Sequence, residues 1–285
     1  MANYSAADVK RLREQTGAGM LDCKNALVDA DGDLDAAVEA LRLKGAKDVT
    51  KRAGRTAANG LVTALLDGTS AGLLVEVNCE TDFVAKTDQF QQAAADIAAA
   101  AMAAKVTDRL ALLVAAVRPG TAVRPGMTVQ QLIEEAGAAL KEKLELGRFA
   151  RLEGGYITSY LHRSDPSLPP ARGVLVQLES ADAETGKDIA QQIAASMPAY
   201  VHREEVPAEI VAKERRIAEQ MTRQEGKPEQ AVPKIVEGRV NAFFKEVVLV
   251  EQPFIKDPKK TVKQVLAERK ATVRAFARFQ IGQAG

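Results

Sequence analysis

Gly72-Leu73-Leu74-Val75-Glu76-Val77-Asn78-Cys79-Glu80-Thr81-Asp82-Phe83-Val84-Ala85-Lys86 is the stretch that decides how this 285-residue chain is read. The glycine and the apolar run up to Val77 predict a largely buried strand. Downstream, Asp88 suits a helix N-cap, with Phe90, Ala94, Ile97 and Ala98 at helical spacing behind it. Phe83 therefore falls where strand gives way to helix, a frequent place for binding residues on a rigid scaffold. An acid beside a ring suits a cation or the backbone amides of a partner. A plainer alternative has Phe83 capping the core and Asp82 capping the turn. The local pattern leaves both standing.

Upstream, Leu61-Val62-Thr63-Ala64-Leu65-Leu66 and an Asp67-Gly68 turn complete a β-hairpin with that strand. Helices are predicted over 88–105, over 107–117 ending before Pro119, and over 128–144. The last carries Val129, Leu132, Ile133, Ala136 and Leu140 on one face. The same order then returns. Gly155 to Leu161 leads through the Pro-rich loop Arg163 to Ala171 into Gly173-Val174-Leu175-Val176-Gln177-Leu178, and an Ala-rich helix comes next over 186–196. Val62-Thr63 matches Ile157-Thr158, Gly72 to Val75 matches Gly173 to Val176, and Ile97-Ala98-Ala99 matches Ile193-Ala194-Ala195, at offsets of 95, 101 and 96. Offsets this constant, in one order, point to a duplicated antiparallel sheet-plus-helix unit.

The N-terminal segment reads as three short helices. Ser5 and Asp8 resemble a capping box with Asp in place of Glu, ahead of Val9 and Leu12. Thr16-Gly17-Ala18-Gly19 breaks that helix, Met20-Leu21 opens a second through Ala26-Leu27, and Asp31-Gly32-Asp33 turns into a third with Leu34, Val38, Leu41 and Leu43. The basic stretch from Lys44 to Ala58 is expected to be a helical linker. Pro207 to Lys245 reads as a charged helical hairpin, broken at Gly226-Lys227-Pro228. Its narrow apolar seam is Ile210, Ile217 and Met221 against Ile235, Val236, Val240, Phe243 and Phe244. Val247 to Val250 is expected to return to strand, Val262, Val265 and Leu266 to lie on a helix, and Val273 to Ile281 to be a last strand. The prediction is an α+β protein. A helical bundle with its linker spans 1–55, a first core subdomain 56–150, and a second core subdomain 151–285 that carries the hairpin 207–245.

Composition narrows the function. Charged residues make up 27% and the net charge is +1, so there is no global field for phosphate, and 4% aromatics without Trp leave few stacking platforms. Direct nucleic-acid binding is not expected. Cys23 and Cys79 are too few for a disulfide framework, which points to a reducing compartment. The start Met1-Ala2-Asn3-Tyr4-Ser5 lacks a basic and apolar leader, and the Ala-rich run from 93 to 104 is too short to cross a bilayer. A cytoplasmic protein with no membrane contact is expected. His162 and His202 lack metal-ligand spacing, and no phosphate loop or nucleophile elbow occurs. The sequence points to binding, with no cofactor, no metal and no covalent chemistry.

Four segments carry a resemblance to a known family. Leu12 to Leu27 (LREQTGAGMLDCKNAL) is similar to the N-terminal signature of bacterial translation elongation factor Ts, and Glu76 to Ala85 (EVNCETDFVA) resembles its second signature. Val236-Glu237-Gly238-Arg239 and Glu251-Gln252-Pro253-Phe254 match its C-terminal half. The resemblance implies a guanine-nucleotide exchange factor for elongation factor Tu, forming a heterodimer or a dimer of heterodimers. It implies a ubiquitin-associated-like N-terminal bundle docking on the GTPase domain of the partner through Arg11, Arg13, Met20 and Leu21. Asp82 and Phe83 would intrude near the partner's magnesium and phosphate region, Thr81 and Val84 would be partner contacts beside them, and His162 would meet another of its domains. Leu21 stands where some relatives have a second Met, and the loop 163–171 is longer than the family pattern. Ending at Gly285, the chain is expected to lack the C-terminal helical module of some relatives. Two other readings compete: a helical adaptor without effect on GDP release, and a thiol enzyme built on Cys79.

Overall fold

The computed structural model describes residues 3–52, 54–118 and 126–283, with backbone alone for 46–51. Met1-Ala2, Pro119 and the end at Gly285 lie outside the described residues, as do Ala53 and the side chains of 46–51 in the expected linker.

The chain opens with α1 (Ala6–Thr16), α2 (Met20–Asp29) and α3 (Leu34–Arg52). Ser5 and Asp8 form the expected capping box: the Asp8 amide donates to Ser5 Oγ at 3.2 Å and the Ser5 amide to Asp8 Oδ2 at 2.8 Å. Gly17, at φ +66°, supplies the left-handed C-cap of α1, a conformation that costs glycine least. Asp33 Oδ1 accepts the Asp35 and Ala36 amides at the start of α3. Val9, Leu12, Cys23, Ala26, Leu27 and Ala37 form the core between these helices. Helix α3 runs on to Arg52, so bundle and linker share one helix.

Next along the chain are β1 (Asn59–Asp67), β2 (Ala71–Cys79), α4 (Asp82–Ala85), α5 (Asp88–Ala104), α6 (Arg109–Val114), α7 (Val129–Leu140) and β3 (Glu145–Glu153). Then come β4 (Tyr156–His162), β5 (Arg172–Leu178), α8 (Ala183–Ser196), α9 (Ala208–Gln224), α10 (Val232–Val247), the short pair β6 (Pro253–Phe254) and β7 (Asp257–Thr261), α11 (Val262–Glu268) and β8 (Val273–Gln280). Two antiparallel three-stranded sheets result, ordered β1-β2-β3 and β4-β5-β8. In each, a hairpin precedes a helix and the third strand joins the edge of the hairpin's second strand.

Alternation along the strands divides the core. Leu61, Leu73, Val75 and Val77 face α5 and α7, meeting Phe90, Ala94, Ile97, Leu132 and Ile133. Val174, Val176 and Leu178 face Ile189 and Ile193 of α8. The opposite faces meet each other through Val62, Leu74, Ile157, Leu175 and Phe279. At one side the β1 amide of Val62 donates to Pro170 O at 2.8 Å, so the Pro-rich loop closes an edge that would otherwise be open. Glu76 is a buried charge in this frame, answered by Arg148 of β3 at 2.6 Å and by Asn78 Nδ2 at 3.0 Å.

Several expectations need correction. The sequence pattern predicts no strand over 145–153, yet β3 pairs with β2 there. Its charged residues, Arg148 and Arg151 among them, break the hydrophobic alternation that marks a strand. Val247 to Val250 is not a strand: α10 runs through Val247 and residues 249–251 form a 3₁₀ turn. The Leu249 amide instead donates to Tyr200 O at 2.8 Å. An apolar run of four reads alike for a buried strand and a buried turn. Helix 107–117 shortens to α6 behind Asp108, and 128–144 stops at Leu140 because Lys141 takes a left-handed conformation. Helix α8 begins earlier than expected, capped by Asp182. On α9 the buried positions are Ala218 and Thr222, while Ile217 and Met221 stay partly exposed on the rim.

Leu175 is fully buried where the two sheets meet. Leu175→Ala is expected to cost about 2–5 kcal/mol in urea unfolding, with an unchanged slope if both sheets melt together.

Candidate functional site

The corner between β2 and α4 is where the quoted stretch leaves the core. Its backbone turns sharply, and the freed amides need acceptors. Glu142, in the connection after α7, supplies them. Its Oε2 accepts the Glu80 and Thr81 amides, each at 3.0 Å, and its Oε1 accepts the Thr81 hydroxyl at 2.5 Å. Glu80 answers in the other direction, its Oε1 accepting the Lys143 amide at 2.6 Å. Asn59 Nδ2 donates to Glu80 O at 2.8 Å, and Arg55 Nη1 reaches Glu80 Oε1 at 3.3 Å. The corner is thus tied to two distant segments of chain.

On this base Thr81, not Asp82, is the N-cap of α4: its hydroxyl accepts the Val84 amide at 3.3 Å. Thr87, not Asp88, caps α5 in the same way. Val84 and Ala85 turn inward to join the core. Phe83 turns outward and is 76% exposed, so the core-capping alternative is overturned. Asp82, freed from capping, pairs with Lys86 at 3.3 Å, one helical turn on. Lys86 Nζ also lies 5.8 Å from the centroid of the Phe83 ring. The tip is an exposed ring flanked by one anion and one cation.

Cys79 sits directly behind the tip, fully buried, its thiol donating to Thr81 O at 3.1 Å. Burial, with the Glu142 charge adding to it, pushes the thiol up to about 12. A nucleophilic cysteine needs the opposite environment, electropositive and accessible. Cys23 is buried too, and burial raises its thiol likewise. His162 Nδ1 is engaged with the Tyr160 hydroxyl at 3.1 Å. Among the described residues no group of three or more His, Cys, Asp or Glu could hold a metal ion. Nor is any helix among them long and apolar enough to cross a membrane.

The other residues singled out from sequence lie apart from the tip in the chain but not all far in space. Met20 and Leu21 are 61% and 69% exposed at the start of α2, outside the core of the bundle. Arg11 and Arg13 are exposed on α1. The adjoining turn at Gly17 is close enough to α7 and α5 that an added Cβ would meet Ala139 at 3.3 Å and Gln89 at 3.6 Å. The bundle therefore rests beside the helix that comes after the tip. Asp22, next to Leu21, is held by Lys44 at 2.8 Å, and that bond lowers its carboxyl below the ordinary range. On the other side, Asp165 in the Pro-rich loop is lowered chiefly by the Ser167 amide and hydroxyl, with Lys86 contributing. His162 is half-buried at the end of β4, where that loop begins.

Sequence reasoning missed Glu142, Glu80 and Lys143. Glu142 and Thr81 lie 61 residues apart with no local pattern joining them. Lys86 was within reach, because an acid and a lysine four apart on a helix are neighbours.

Similarity to known proteins extends over the whole chain. A family model described as Elongation factor TS matches residues 80–283. The protein named Elongation factor Ts of Thermobifida fusca (strain YX) is 57% identical over 284 residues, covering 100% of both chains. Its namesake in Acidothermus cellulolyticus is 59% identical over 283 residues, 99% of this chain and 100% of that one. The namesake in Streptomyces griseus is 55% identical over the same span.

With its thiol pushed up to about 12, Cys79 stays protonated at pH 8 in the native protein. Labelling by a thiol reagent at that pH is expected to be slow for both cysteines and complete within minutes in denaturant. Fast native labelling of Cys79 would contradict the buried-support role.

Proposed function

The chain belongs to the elongation factor Ts family, and from that premise we propose that it is a guanine-nucleotide exchange factor for elongation factor Tu. In this reading it binds elongation factor Tu carrying GDP and promotes GDP release by disturbing the magnesium and phosphate site, after which GTP reloads. It works in the cytoplasm without covalent chemistry, as a heterodimer or a dimer of such pairs. The observation that carries this reading is Phe83, a large ring held out into solvent on a clamped corner beside Asp82.

The physics needs only differential binding. A factor that prefers the nucleotide-free partner weakens nucleotide affinity by the same factor. Burying one phenyl side chain is worth roughly 1.5–3 kcal/mol, or about tenfold to a hundredfold. Phe83 is the wedge between partner side chains. Asp82 acts on the phosphate side, where a carboxylate disfavours the nucleotide's charge. It must first leave Lys86, and an exposed ion pair costs only about 0–1 kcal/mol to break. Thr81 and Val84 hold the pair in place, the first from the cap and the second from the core.

The bundle is the proposed docking module, of ubiquitin-associated type, with Met20 and Leu21 as an exposed apolar pair on α2 and Arg11 and Arg13 exposed on α1. His162 serves the second half of the interface. The shared order of hairpin, helix and third strand in the two sheets supports descent from one duplicated unit. The proposed division remains 1–55, 56–150 and 151–285.

Release of a fluorescent GDP analogue from purified elongation factor Tu, followed with and without this protein, tests the reading. Phe83→Ala and Asp82→Ala are each expected to lower the maximal release rate about tenfold or more while changing stability by less than about 0.5 kcal/mol. Joint replacement of Met20 and Leu21 by Ser should instead raise the concentration needed for half-maximal release and leave the maximum in place. No acceleration by the wild-type protein favours the adaptor reading.

A further inference from the structure

The clamp at the β2–α4 corner does more than close a loop. Glu142 gathers three donors from two consecutive residues, the amides of Glu80 and Thr81 and the Thr81 hydroxyl, at 3.0, 3.0 and 2.5 Å. The next two residues are Asp82 and Phe83. The Thr81 hydroxyl that Glu142 receives also accepts the Val84 amide and so begins α4. One carboxylate therefore sets both the backbone direction into the tip and the helical turn that carries it. The return bond from Lys143 N to Glu80 fixes Glu142 itself, since the two residues are adjacent. Little else orients Phe83: its ring is 76% exposed and its ring partner is Lys86 at 5.8 Å. The pose of the ring is inherited from the backbone beneath it.

We propose that Glu142 is a positioning residue for nucleotide exchange, holding the Thr81 cap so that Asp82 and Phe83 are presented in one orientation before the partner arrives. The role rests on the exchange-factor reading above. It works through hydrogen-bond geometry rather than charge. The neutral amide of Gln can keep its oxygen on the two backbone amides and donate to the Thr81 hydroxyl, which reverses its own bond. Ala leaves all three donors without an acceptor, and Asp draws the acceptor back by one methylene. A wedge that must first be ordered loses part of its binding advantage to that ordering.

The test measures fluorescent-GDP release from elongation factor Tu, with thermal melting and amide hydrogen exchange alongside. Glu142→Ala is expected to lower the maximal rate about tenfold and to deprotect the amides of Glu80 and Thr81. Glu142→Gln should stay within about twofold of wild type, a smaller change than the loss of one good hydrogen bond. If Glu142→Ala does not fold, Glu142→Asp supplies the same reading with the charge retained. The decisive comparison is with the joint Asp82→Ala/Phe83→Ala variant: once both tip side chains are gone, adding Glu142→Ala should lower the rate no further, because it acts through that tip. A further rate loss when Glu142→Ala is added to the Asp82→Ala/Phe83→Ala variant overturns the proposal, as does an unchanged rate in Glu142→Ala with the two amides deprotected. A tenfold loss in Glu142→Gln overturns it by making charge the active feature. A wild-type protein that fails to speed GDP release refutes the exchange reading instead, whatever the amides of Glu80 and Thr81 do.

Discussion

Strand β2 has no face turned to water, and that enclosure dictates the rest of the architecture. Leu73, Val75 and Val77 point one way and Leu74 the other, and all four are essentially unexposed. Each face needs its own cover. Helices α5 and α7 cover the first, and the second sheet covers the other through Ile157, Leu175 and Phe279. The one charge on the strand, Glu76, then needs a partner, and β3 brings Arg148. A strand so enclosed is a rigid mount for the residues beyond its C-terminal end.

Beyond Cys79 the chain enters a corner whose amides cannot stay in a ladder. Glu142 satisfies them from across the fold, and the arrangement leaves Cys79 sealed behind and Phe83 open in front. Exposing a phenyl ring costs the hydrophobic stabilisation it would have gained inside. A fold that buries Phe90 completely seven residues later could have buried Phe83 as well. The exposed ring is the observation on which the proposed interaction rests, and the signatures around it agree with the family to which the chain belongs.

The legible parts of the fold were those written in short range. The Ser5–Asp8 capping box, the hairpin of β1 and β2, and helix α8 each depend on residues a few positions apart. Where long-range pairing decides the outcome, local pattern misled. Strand β3 exists because β2 offers it an edge, not because its own residues alternate. Val247 ends a helix and Val248 donates its amide to Phe244 O, while Leu249 and Val250 donate theirs to Tyr200 O and Val201 O, and that makes a helix end and a turn of a segment that reads as a strand. The caps at Thr81 and Thr87 displaced Asp82 and Asp88 by one residue each, since acid and threonine are both favoured cap types and adjacent in each pair.

Periodicity, caps and two signature motifs were enough to mark an α+β chain of the elongation factor Ts family and to single out Asp82 and Phe83 as candidate site residues. They left undecided whether Phe83 packs inward or outward, because both are compatible with a ring at the end of a buried strand. Tertiary structure decided it. A carboxylate 61 residues further along the chain turns the backbone at Thr81 so that Val84 faces the core and Phe83 faces the solvent. No local pattern carries that information, since it arises only when the connection after α7 is folded against the corner.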